Sequence, residues 1–321
     1  MFKEKTKEVA KPAGPVSAET ALKVATFVCA FFFIGMTMFP GPFMDGYGVG
    51  FFDCPTKKVK GAPKCDSDFM KHFAMSVISI FGCNIMMFGA VLAGQARVHV
   101  GEKPKSVACL ITSLMWGAFS IGDGLRTLKS DWPEEIEKGP IYGNVVFFAI
   151  LSALAYMGWK DSGSVMPNLS VDSVKALWSS KFGKPIVAGV GLLCFYGFPL
   201  ILISDNFVEF FGRAEQMAGF TQPVNFMLSW LFFNIGLVCL FTAVLQLSLA
   251  TVDAKDETIA YRVLRSSSLI WMYSNGSWSK DAVVNHLTGF EDPMRLFQFF
   301  TNFGLAMWSV NTWAKAPVSL K

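Results

Sequence analysis

The chain has 321 residues, of which 52% are hydrophobic and only 16% charged, with a net charge of +4 and a mean hydropathy of +0.42. Soluble globular domains carry roughly 25% charged residues, and the same values exclude disordered, collagen-like, coiled-coil and small disulfide-rich chains. A membrane protein with several spans remains, because one anchor would not lift the average of so long a chain this far.

A crossing helix takes roughly 20 mostly apolar residues, with about 17 as a lower limit. After a lysine-rich tail over residues 1–23, uncharged stretches run from Val24 to Met44, Phe73 to Ala96, Ser106 to Gly122 and Gly139 to Trp159. A linker rich in Ser, Gly and Lys fills 161–184. Further stretches follow from Pro185 to Ser204, Gln216 to Val252 and Leu296 to Ala314, with a short tail at 316–321. Between the last two lies Ser266 to Ser279, only 14 uncharged residues. It spans only if Arg262 and Arg265 reach from its first turns to the interface. Proline after the first and fifth spans, Pro40 and Pro199, is expected to break the helix and start a re-entrant or surface-lying segment.

The chain repeats itself. Phe39-Pro40, followed by Phe51-Phe52, matches Phe198-Pro199, followed by Phe210-Phe211. His72-Phe73 with Ser76 and Ala90-Val91-Leu92 matches Asn225-Phe226 with Ser229 and Ala243-Val244-Leu245. Ser113-Leu114-Met115-Trp116 matches Ser268-Leu269-Ile270-Trp271, and Phe147-Phe148 matches Phe299-Phe300. Matches in this order indicate a duplication and make Ser266 to Ser279 the partner of a convincing span. The expectation is an all-α integral membrane protein of eight helices, as two parallel four-helix repeats over 24–160 and 185–315.

With eight spans, the side that holds both termini carries 17 Lys and Arg against 9 Asp and Glu, and the other side 11 against 15. The positive-inside rule then places both termini on the cytoplasmic, stromal or matrix side. Of seven cysteines, Cys29, Cys83, Cys109, Cys194 and Cys239 fall in spans, as small apolar residues. Cys54 and Cys65 share a loop on the acidic side, where they form a disulfide if that side is oxidising. A zinc site lacks further ligands there.

No HExxH, GxxxxGKS/T, GxSxG or CxxC motif is present. Gly46-Tyr47-Gly48-Val49-Gly50 is superficially like a potassium filter, but Asp205-Asn206-Phe207-Val208 in the second half supplies no matching carbonyl ring, which leaves a glycine turn. Full charges sit at span ends: Asp45, Asp123, Asp205, Glu257, Arg262 and Arg265. Deeper positions hold the amides Asn84, Gln95, Asn225, Asn234, Gln246, Asn302 and Asn311. Amides bond between helices at about 0.6 kcal/mol each. Alternatively His72, Asn84, Gln95, Asn225, Asn234 and Gln246 ligate the magnesium of a chlorophyll, since neutral N and O donors fill its axial position. Phe supplies 32 residues and Trp 9, as aromatic belts, helix packing or flat apolar ligands such as pigments, carotenoid or structural lipid all require. Arg262 and Arg265, three apart on one helix face and helped by Lys255, are expected to form a docking or anionic-lipid site.

An apolar helix ending Phe39-Pro40, then Asp45, Tyr47 and Phe51, then a helix with small residues and Asn84, resembles the p53-inducible protein 11 family. That resemblance implies small four-helix membrane units without established enzymatic chemistry, here in tandem. The second half lacks the glycines and the tyrosine, and no active site carries over. The expected function is a non-catalytic membrane subunit, structural or antenna-associated, in a large complex, a photosynthetic supercomplex of a plastid thylakoid before a respiratory one. Its partners are other membrane subunits, lipids and pigments, not nucleic acid. The alternative is a small-solute or ion transporter or channel, and an enzyme of lipid metabolism comes third.

Overall fold

The computed structural model describes residues 16–46, 67–97, 100–130, 132–134, 136–180, 182–204, 222–252, 259–260 and 262–265. These residues form helices α1 (Ala18–Met38), α2 (Pro40–Asp45), α3 (Ser67–Gln95), α4 (Glu102–Thr127), α5 (Lys138–Asp161), α6 (Val171–Ser179), α7 (Gly183–Leu202) and α8 (Gln222–Val252). Six of them, α1, α3, α4, α5, α7 and α8, are long and apolar enough to cross a membrane. They correspond to the first six expected spans. The seventh and eighth lie outside the described residues. With no strand among the described residues, the chain is all-α, as lipid demands when each segment must satisfy its own backbone groups.

α1 begins at Ser17, whose hydroxyl accepts the Thr20 amide at 3.2 Å. It ends at Phe39 because Pro40 cannot continue the ladder, and Pro40 instead opens α2, where a missing amide costs nothing. α2 folds back on the bundle, with the Phe43 ring 6.1 Å from that of Phe32. The expectation for the corresponding Pro199 is corrected. α7 runs through it to Leu202, and the Ile203 amide bonds the Pro199 carbonyl at 2.9 Å. The proline removes one bond of the ladder, the one to the Phe195 carbonyl, and the helix continues for three more residues. The segment 161–184 contains α6, capped by Ser170 on the Ser173 amide at 3.3 Å.

Helix directions follow from the contacts. Gly82 of α3 lies on Met36 of α1, and Gly89 lies on Cys29, so α1 and α3 are antiparallel. A Cβ on Gly82 would stand 2.8 Å from that of Met36, which shows how close the backbones come. α7 and α8 repeat the device, antiparallel, with Gly197 on Leu240 and Gly236 on Ile201. Ser113 pairs with Ser152, and Ser120 with Val145, so α4 and α5 are antiparallel. Gly158 of α5 abuts Ala21 of α1, while Phe148 meets Phe32, which sets that pair antiparallel as well. Across the two sets, Phe73 meets Phe232 and Asn84 meets Cys239, so α3 and α8 run parallel. One end of the bundle therefore gathers the starts of α1, α4 and α7 with the ends of α3, α5 and α8.

Candidate functional site

The most concentrated polar chemistry among the described residues lies where α4 crosses α8. Trp116, Phe119, Asp123 and Arg126 recur at i, i+3, i+7 and i+10, so they share one face of α4, and all four are buried. The aromatic part of that face fills the core. Trp116 stacks on Phe148 of α5 at 5.2 Å and 16°, and Phe119 meets Phe81 of α3 at 6.2 Å.

One turn further the face becomes ionic. Trp230 of α8 donates its indole N–H to Asp123 Oδ1 at 2.7 Å. Arg126 donates to the Ser229 carbonyl at 3.3 Å, and its guanidinium lies 5.8 Å and 5.5 Å from the rings of Phe226 and Phe233. Asn144 of α5 and Asn234 of α8 stand beside the Asp123 carboxylate. Two opposite charges one turn apart on α4 therefore grip one stretch of α8. A water-sized cavity of about 20 Å³ adjoins the clasp, walled largely by Phe32, Phe81, Trp116 and Phe148, with Asn144 and Asn234 at its polar side.

Counting uncharged residues cut the third span at Gly122 and left Asp123 as an end charge. That expectation is corrected: α4 continues to Thr127, so Asp123 lies within the helix and is fully buried. Burial against α8 supplies the hydrogen-bond partner that lipid would deny it. The i, i+3 spacing of Asp123 and Arg126 was the available sequence signal; Trp230 had none.

The candidate pigment ligands are not gathered into one site. Asn84 faces α8, its Nδ2 donating to the Ile80 carbonyl at 2.9 Å and its Oδ1 accepting from Cys239 at 3.5 Å. Gln95, at the end of α3, and Gln246, in α8, are buried, and Asn234 belongs to the clasp. Asn225 is half-buried at the start of α8. His72 lies in α3, with its side chain outside the described residues. The cavity beside the clasp is far too small for a tetrapyrrole ring.

Arg262 and Arg265 are half-exposed in helical residues 262–265, while Val263 and Leu264 between them are buried. Lys255, Cys54 and Cys65 lie outside the described residues. Cys29, Cys83, Cys109 and Cys239 are buried. Among the described residues no group of three His, Cys, Asp or Glu could hold a metal ion. The chain matches no protein-family model, no curated protein and no solved structure in the comparisons made, so the family resemblance rests on its short motifs alone.

Proposed function

We propose that the chain is a non-catalytic polytopic subunit of a larger membrane complex, with a structural role. The observation that carries this reading is the clasp. Asp123 and Arg126, charged groups buried within α4, are spent on holding α4 to α8. Ser113 with Ser152, and Asn84 with Cys239, likewise join helix to helix.

In the full reading eight spans form two four-helix repeats with both termini on the positive side. Support comes from the parallel run of α3 and α8, each with an antiparallel, glycine-packed partner, α1 and α7 respectively. That arrangement is what two repeats inserted in the same orientation would produce. Purification in mild detergent, with identification of co-migrating proteins and an absorption spectrum, tests the role. Recovery with other membrane subunits is expected. A chain that migrates alone, without partners, would sink the reading. A chlorophyll or carotenoid band in the spectrum would add an antenna role.

Transport of a small solute or ion is the second reading, favoured by one observation: a fully buried carboxylate beside two amides and a water-sized cavity. Charged groups inside spans commonly mark ion or proton pathways. Flux into liposomes that Asp123→Asn abolishes, in a protein that stays folded, would replace the structural reading with this one.

A further inference from the structure

At the bundle end that holds the start of α1, a small apolar cluster joins four chain segments. Leu177 of α6, Ile186 of α7, Ala250 of α8, and Ala260 and Leu264 beyond α8 are buried together. Cations stand beside its members in the sequence: Lys175 precedes Leu177, Lys184 precedes Ile186, and Arg262 and Arg265 flank Leu264. Lys175 and Lys184 are exposed. Among the described residues this bundle end carries nine Lys and Arg against four Asp and Glu, and the opposite end four against five. At the same level Lys160 lies over the rings of Trp159 and Tyr156, at 4.7 Å and 5.5 Å.

The apolar surface here is as telling as the charge. Val171, Val174 and Trp178 stand at i, i+3 and i+7 on α6, about a quarter turn from the buried Leu177. Val171 is 69% exposed and Trp178 49%, and Met166 and Leu169, just before the helix, are exposed as well. None of these residues belongs to a helix long enough to cross a membrane. A short helix with an outward Val/Trp stripe, lysines beside it and spanning helices behind it has the pattern of a helix lying in the lipid interface.

We propose that this end of the bundle is a platform for anionic phospholipids. α6 lies along the headgroup layer with Val171, Val174 and Trp178 in the acyl boundary, while Lys175, Lys184, Arg262 and Arg265 hold lipid phosphates. A soluble acidic protein would meet the cations but leave the Val/Trp stripe without an apolar neighbour, whereas a leaflet supplies both. The electrostatic attraction is that of basic clusters for an anionic leaflet.

The test places the full chain in nanodiscs of phosphatidylcholine mixed with phosphatidylglycerol and reads the retained lipids by native mass spectrometry. Enrichment of phosphatidylglycerol is expected, falling at least ~tenfold in the variant K175Q/K184Q/R262Q/R265Q. Should that variant fail to fold, Lys175→Gln alone, at an exposed position, is expected to lower enrichment about fivefold. Lys129→Gln at the opposite end should leave it unchanged. No preference for phosphatidylglycerol in the parent, or full preference in the charge variants, overturns the platform. So does a charge variant that keeps the lipid but loses a water-soluble acidic protein.

Discussion

α1 and α7 are nearly equally apolar, and each packs antiparallel through glycines on a long partner helix. Their surroundings nevertheless differ. In α1, 39% of the most apolar window is buried, against 17% in α7. α1 is embraced by α3, α4 and α5, and its Phe32 meets Phe147 and Phe148. α7 packs on α8 and the short α6, while Phe195, Phe198 and Leu202 remain exposed. Apolar sequence qualifies a helix for the membrane but says nothing about whether protein or lipid touches it, because lipid tails are as apolar as leucine.

The widest separation between the two helices is expected from glycine replacements. Gly89→Leu would drive a side chain into Cys29 of α1 and should cost about 3 kcal/mol, the upper part of the usual overpacking range. Gly189→Leu on α7, where nothing lies within 4 Å of a new Cβ, should cost no more than about 0.5 kcal/mol. Unfolding in mixed detergent micelles measures both, and equal costs would erase the contrast.

The clasp sharpens the comparison from the α4 side, since α4 covers α1 and also reaches α8. Asp123→Ala leaves the Trp230 N–H without its acceptor in a buried place and should cost about 2 kcal/mol. Trp230→Phe should cost less once Asp123 is already gone, a coupling that a double-mutant cycle detects. Strict additivity would mean that the bond contributes nothing.

A smaller difference is expected from ring truncation. Phe32→Ala should lose about 1.5 kcal/mol, the packing and cavity share of a core truncation, because lipid removes most of the transfer share. Phe195→Ala, at 71% exposure, should fall within about 0.5 kcal/mol of the parent. A large loss at Phe195 would show that the outer face of α7 is covered by protein.

The smallest effect belongs to α6. Ser170→Ala removes its cap and should destabilise that helix by about 1 kcal/mol, seen as faster amide exchange over 171–174 with the global midpoint barely moved.

Hydropathy alone determined that the chain is helical, and it located six described helices long and apolar enough to cross a membrane to within about six residues at each end, since about 20 apolar residues in a row have few other fates. The stop at Pro40 was equally legible, because a missing amide acts locally. Pro199 was misread because a proline inside a helix removes one ladder bond without always ending the helix, and α7 carries on through it where Ile201 packs on Gly236 of α8. α6 was missed because nine residues of mixed character carry too little periodic signal until Leu177 finds its pocket. The clasp lay furthest from view. Asp123 looked like an ordinary end charge, and only the crossing of α4 and α8, 107 residues apart in sequence at Asp123 and Trp230, turned it into a buried acceptor. A charge in a span is tolerated according to what stands opposite it, and what stands opposite is decided by tertiary packing.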